Sequence, residues 1–272
     1  GLPFARFFPP MIRAETETGW ILIKHTDHAM LAGEFARCWA FPKPEPFDRV
    51  LYAVAHHDDG WTKRDIDLSL TAEGKPEAFT RTLVGAYSAF EEIDLPSYLR
   101  VRGEATRIAA ETDPLAGILI SMHTVNLLTE QADLASIRPE HRPLHAEFVA
   151  GQQAWQRTTA QAHGFTMEQL QRGFEFLQAC DNLSLIACSG FDRVAKLRHT
   201  HPDRSGQRVT LTCTHKGPGH WGVDPWPFEA PRHEFTLPYR QVFGARFSTL
   251  ADYRAAYAAG AGKTAVITLS AA

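Results

Sequence analysis

The spacing of apolar residues changes character along the chain. Residues 11–24, MIRAETETGWILIK, set two apolar stretches around a polar ETETG turn, and Trp20, Leu22 and Lys24 alternate with Ile21 and Ile23. Alternation on both sides of a turn predicts a β-hairpin. From Thr26 the period becomes helical: Met30, Leu31, Phe35 and Cys38 share a face, with Thr26 or Asp27 as N-cap. Pro42, Pro44 and Pro46 break that helix. A second helix is predicted over 47–57, with Val50, Leu51 and Val54 on one face and Gly60 as its C-terminal cap. Residues 62–82 are polar, lack a regular period and read as a long surface loop.

Helices follow at about 83–93, 96–111, 114–130, 138–162 and 166–189, with Asp113-Pro114 and Thr166-Met167-Glu168 as suitable starts. Beyond Gly190 the period shortens: 209–213 alternates like a strand, HKGPGHWGVDPWPF is rich in turn residues, 232–243 alternates again and 265–269 is a short β-type run. The expected fold class is mainly α, a helical bundle with a small antiparallel β element made from the N-terminal hairpin and the C-terminal strands. The expected divisions are 1–24, 25–195 and 196–272, with the tail packed on the helical body because so small a β element does not stand alone.

Composition narrows the function classes. The 272 residues are 44% hydrophobic, enough for a full core, and Lys plus Arg total 28 against 31 Asp plus Glu. A net charge of −3 argues against binding to a nucleic acid duplex. The longest apolar run, around Leu115–Met122, is too short to span a bilayer, so no membrane partner is expected. No basic-then-apolar leader opens the sequence, and a cytoplasmic location is the default expectation. Cys38, Cys180, Cys188 and Cys213 form no CxxC pair and read as buried, reduced thiols. GAGKT at 260–264 is not a phosphate-binding loop, because the first glycine of GxxxxGK[ST] would fall on Tyr257.

Thirteen histidines are the compositional excess, and they matter where they meet carboxylates. His28, His57-Asp58 and Asp181 are the informative set, since imidazole and carboxylate together ligate divalent Mn, Fe, Ni or Zn. His57-Asp58 stands where the second helix ends, so both side chains can turn toward one ion. His28 opens the preceding helix, and antiparallel helices set the start of one beside the end of the next. Asp181 lies among Phe176, Leu177, Leu183 and Leu185, where a buried carboxylate is costly unless a cation or a partner compensates it. Its plainer role is a hydrogen bond to another helix, shared with Asn182.

Across these residues the chain resembles the HD-domain superfamily of metal-dependent phosphohydrolases, whose signature has the order H…HD…D. His57-Asp58-Asp59-Gly60 has the H-D-x-G form of that superfamily. Four blocks in order, TDHAMLAGEFA, AHHDDGW, SMHT and DPWPF, look like the HD-like bacterial family catalogued as domain of unknown function 3891, from the hairpin to about Val242. The resemblance implies an HD-domain-like helical bundle and one divalent cation (Mn, Fe, Ni, Zn or Mg) held by His28, His57, Asp58 and Asp181. A second metal would use His123 with one of His141, His145 or His163.

The expected activity is hydrolysis of a small phosphorylated metabolite or nucleotide by a metal-activated water. Asp59 or His123 would accept the proton. Trp61 would wall the pocket, and Lys63 and Arg64, with Arg81, would hold phosphate. Each has a plainer alternative: Asp59 as a helix cap, His123 as a hydrogen-bonded core residue, Trp61 as packing, and the basic residues as solvated charge. His25 is expected at the edge of the site and His56 elsewhere on its helix. Two other functions fit the same residues. One is a di-iron oxygenase, which needs His123 and another histidine. The other is a non-enzymatic ligand sensor whose Trp221, Trp226, Phe228 and Phe235 form a partner surface. A homo-oligomer is compatible with all three.

Overall fold

The computed structural model describes residues 11–63, 65, 67–71, 73–77, 88–89 and 95–272. The N-terminal hairpin is β1 (Ile12–Thr16) and β2 (Gly19–Ile23). Helices α1 (His25–Arg37) and α2 (Phe47–His56) follow, then a 3-10 turn over Asp59–Trp61 and strand β3 (Ser88–Ala89). Next come α3 (Leu95–Thr112), α4 (Pro114–Leu128), β4 (Ala132–Asp133), α5 (Arg142–His163) and α6 (Met167–Ser189). The tail holds β5 (Val194–Pro202), β6 (Arg208–Gly217), β7 (His220–Asp224), β8 (Arg232–Phe243), α7 (Leu250–Ala259) and β9 (Gly262–Ala271).

Local chemistry explains the principal helix boundaries. Asp113 caps α4 through Ala116 N–H, with Pro114 in the first turn, and its carboxylate takes both Nε and Nη2 of Arg49. Thr166 and Gln169 form a reciprocal capping box at α6, and Gly190 ends that helix in the left-handed region. α6 is the spine of the molecule, touching α1, α2, α4, β1 and β5. One core joins the helices to the sheet, with Phe35 of α1 edge-on to Phe235 of β8 at 4.7 Å.

The sheet corrects the expected fold class. Seven strands run in the order β1-β2-β8-β9-β7-β6-β5, curled as a half-barrel, so the fold is not a mainly α HD-like bundle with a small β element. Nor is it wholly antiparallel, because β7 and β9 run parallel. The strands were under-read for a physical reason. In β5, VAKLRHTHP, only Leu197 and His201 are buried, so few positions carry an apolar signal and the ladder to β6 is made by the backbone. Only 265–269 of β9 reads as strand in the sequence, although the ladder runs from Gly262 to Ala271.

Three further expectations change. The turn-rich stretch after His215 contains β7. Helix α7 went unpredicted, although Thr249 and Asp252 form a capping box at its start. Of the helix expected over 83–93, only 88–89 are described, and they form β3, paired in parallel with β4. No helix among the described residues is long and apolar enough to cross a membrane. Cys180, Cys188 and Cys213 are buried and reduced, and Cys38 is half-buried and reduced. Burial pushes the Cys188 and Cys213 thiols up to about 12.

Candidate metal centre

Close helix packing creates the site. Gly33 of α1 lies against α2, where an added Cβ would stand 2.9 Å from the Ala55 Cβ. This approach brings the first turn of α1, with His28, beside the last turn of α2 and His57. Gly60 plays a different part from the expected left-handed cap, since its φ is not positive. It lets the turn after Asp58 rest on the α3 backbone, where a Cβ would collide with Val101 O and Ala105 N. The residue after Val101 is Arg102, and its Nη1 donates to Asp58 Oδ1 at 2.7 Å.

His28, His57 and Asp181 present ligand atoms within 4.8 Å of one another, all buried. Asp181 Oδ1 lies 3.0 Å from His28 Nε2 and 3.2 Å from His57 Nε2. Asp58 Oδ2 lies beside both imidazoles, 4.0 Å from His28 Nε2 and 3.8 Å from His57 Nε2, but Asp58 stands outside the group whose ligand atoms all lie within 4.8 Å of one another. The hydrogen-bond partners assign the tautomers. Ser184 Oγ donates to the His28 carbonyl, so it accepts from His28 Nδ1–H, each contact being 2.7 Å. His57 Nδ1–H donates to Val54 O at 2.7 Å. With Nδ1 protonated on both rings, each neutral form would aim an Nε2 lone pair at the Asp181 carboxylate. Lone pairs directed at a carboxylate oxygen repel it unless a proton or a cation lies between them. His57 Nε2 is a buried nitrogen whose near polar neighbour is Asp181 Oδ1, at 3.2 Å.

The charge states follow. Burial lowers His28, and the Asp181 hydrogen bond and charge only partly oppose it. Burial also acts downward on His57, but the charge of Asp58, the Asp181 hydrogen bond and charge, and the Val54 carbonyl raise it to about 9. Desolvation acts upward on Asp58, yet Arg102 and the neighbouring imidazoles hold it well below the usual carboxylate range. Asp181 is likewise held down, against burial, by its hydrogen bonds to His28 and His57. In a metal-free centre the positive charge is a proton on His57. The set of two imidazole nitrogens and the Asp181 carboxylate, with Asp58 beside it, fits a divalent cation.

His123 lies on the other side of Asp181, with Nε2 3.9 Å from Oδ2. Gln178 Nε2 donates to His123 Nδ1 at 3.4 Å and to Asn126 Oδ1 at 2.9 Å, while Gln178 Oε1 accepts from His199 Nε2. The His123 proton is thereby on Nε2, directed at Asp181. Burial lowers His123 to about 3. The other proposed second-metal histidines do not converge: His145 Nε2 donates to Leu128 O, His163 stacks on Phe165 and His141 lies in a surface turn.

Asp59 turns outward and accepts from His56 Nδ1 at 2.8 Å. Trp61 is fully buried behind His25, with which it stacks at 4.2 Å. Lys63 is exposed, and Arg64 and Arg81 lie outside the described residues. His28, Asp58, Asp181, His123, His25 and Arg102 line one cavity of about 20 Å³, enough for roughly one water or ion. Trp221, Phe228 and Phe235 are buried in the core and do not form a surface patch. Arg102, Ser184 and Asp65 were not singled out from sequence. Ser184 alone left a signal, lying one helical turn from Asp181 on the same face.

No curated protein matches the chain, and no solved structure matches it. A family model described as a protein of unknown function, DUF3891, matches residues 11–243. With most of its length covered by that match, the chain belongs to the DUF3891 family.

Proposed function

We propose that this chain is a metal-dependent hydrolase of the HD type, acting on a small phosphorylated molecule. The observation that carries the reading is the convergence of His28 and His57 Nε2 on Asp181 Oδ1, with both Nδ1 atoms committed to other partners. Fixing the far ring nitrogen is how proteins orient metal-ligating imidazoles. His28, His57, Asp58 and Asp181 would hold one divalent cation. Such a cation polarises a phosphoryl oxygen and lowers the pKa of water.

The chain's own residues support that chemistry. Ser184 and the Val54 carbonyl keep the two Nε2 atoms available as ligands. Arg102 neutralises Asp58 Oδ1 and leaves Oδ2 facing the centre. His123 holds its proton toward Asp181 Oδ2 and steadies the carboxylate from behind. Burial excludes bulk water from the ligands. The choice of a phosphorylated substrate is supported by the H…HD…D order and by the buried Arg102 guanidinium in the cavity wall.

The test is metal analysis of the purified protein, then a panel of phosphomonoesters and phosphodiesters with His57→Ala as control. One metal per chain and turnover that disappears in His57→Ala are expected. Protein that binds no divalent metal tightly would overturn the reading. One feature favours a dinuclear, oxidative alternative: both Asp181 oxygens face imidazoles, Oδ1 toward His28 and His57 and Oδ2 toward His123. Two irons per chain with an oxidised chromophore would select it.

A further inference from the structure

His25, on the same helix as His28, lies on the wall of the same cavity and has no role in the ligand set. Asp65, from the segment after the HDDGW turn, grips it. Asp65 Oδ1 accepts from His25 Nδ1 at 3.0 Å and from the His25 backbone N–H at 3.2 Å. Asp65 Oδ2 accepts from Thr26 N–H at 3.2 Å and Thr26 Oγ1 at 3.4 Å. Both side chains are buried. The His25 ring also lies flat on Trp61, with 14° between planes.

Capping α1 accounts for the two backbone contacts, and Asp65 would make them whatever residue stood at position 25. It does not account for an imidazole whose Nδ1 is bound to a buried carboxylate and whose ring faces the metal-ligand cavity. That arrangement is a carboxylate–histidine dyad. The carboxylate holds the proton on Nδ1, which makes Nε2 the basic nitrogen, and the flat indole fixes the ring plane.

We infer that His25 is the proton-transfer residue of this centre and that Asp65 is its positioning residue; the inference rests on the hydrolase reading above. As a water oxygen forms its bond to phosphorus, its proton passes to His25 Nε2. As the bond from phosphorus to the leaving oxygen breaks, that proton passes to the leaving oxygen. One water is consumed and the dyad returns to its starting state. Two other candidates are poorly placed for this task. Asp59 points away from the cavity into a bond with His56. The His123 Nε2 proton is directed at Asp181, and its Nδ1 is taken by Gln178.

The test uses the full chain loaded with zinc. 15N spectra of the wild type should show His25 protonated at Nδ1, with an Nε2 resonance that shifts when inorganic phosphate is added, and Asp65→Asn should abolish that tautomer. His25→Ala should keep its zinc yet lose roughly 10²–10³-fold in kcat on phenyl phosphate, with KM little changed. Added imidazole should restore part of the loss, which a merely structural role would not allow. A proton found on Nε2, a resonance indifferent to phosphate, or His25→Ala turnover within about threefold of wild type would each overturn the inference. Wild-type protein that binds zinc but hydrolyses no phosphate ester would count against the hydrolase reading, while the spectra still decide the dyad. Failure of the wild type to bind zinc would sink both.

Discussion

The stretch His56-His57-Asp58-Asp59 makes two histidine–carboxylate arrangements with opposite fates. The outer pair, His56 and Asp59, is joined at 2.8 Å at the partly exposed end of α2, with the His56 ring stacked on Tyr52. The inner pair, His57 and Asp58, is almost fully buried and stands 3.8 Å apart, a charge contact without a hydrogen bond. Each residue instead meets partners from other helices: Asp181 from α6 and Arg102 from α3. Residue type is the same in both, so the difference is burial. At the surface, water screens the pair and its net contribution is small. Inside, every charge needs a partner, and chemistry becomes possible because those partners are fixed.

The largest expected effect is at the inner pair. Asp58→Ala leaves the buried Arg102 guanidinium without its carboxylate, and unfolding in denaturant should show a loss of about 3–5 kcal/mol together with loss of metal binding. A change below about 1 kcal/mol would erase the contrast between the pairs.

Next comes the His57 proton. His57 is raised to about 9 from an ordinary 6.5, so the stability its proton contributes to the metal-free protein is complete below about pH 6.5 and lost as pH climbs through 9. The loss is on the order of 3 kcal/mol, and His57→Gln should flatten that part of the stability–pH curve. Metal binding at pH 7 should displace the same proton. Calorimetry in buffers of different ionisation enthalpy should find about one proton released per chain.

A smaller effect tests the turn that separates the pairs. Gly60→Ala forces the turn off the α3 backbone and should cost about 1–3 kcal/mol. A structure of that variant should show Arg102 drawn away from Asp58 Oδ1. The smallest effect belongs to the outer pair. His56→Ala and Asp59→Ala should each change stability by no more than about 0.5 kcal/mol and leave metal affinity and turnover as they are. A collapse of turnover in Asp59→Ala would return Asp59 to the proton-acceptor role that its residue type first suggested.

The helices were legible because each buries one stripe. The sequence reading of the last long helix, 166–189, falls within a residue of the observed Met167–Ser189. The hairpin was legible because its turn is polar and its flanks alternate. The sheet was not, because β5 is mostly polar and is joined to its neighbour through backbone hydrogen bonds that leave no trace in side-chain pattern. The site divides in the same way. His28, His57 and Asp181, which the structure brings together, stand out in the sequence as candidates because metal-ligating residue types are few. Arg102 and Asp65 do not, since an arginine in a helix or an aspartate in a loop is ordinarily solvated, and only the fold makes these two buried. Gly60 permits close approach to α3 and not the left-handed cap that its place in the sequence suggests.

Strand β9 is the last element in the chain, yet it lies in the interior of the sheet. Without it, β1-β2-β8 and β7-β6-β5 share no ladder and remain two separate ribbons. On the ribosome the helical layer can therefore assemble while both ribbons still have open edges. The final ten-residue strand then acts as a zipper, joining a hairpin made first to strands made much later. Until it emerges, the nascent chain carries two unsealed edges, and that interval is when it most needs protection from pairing with a neighbour.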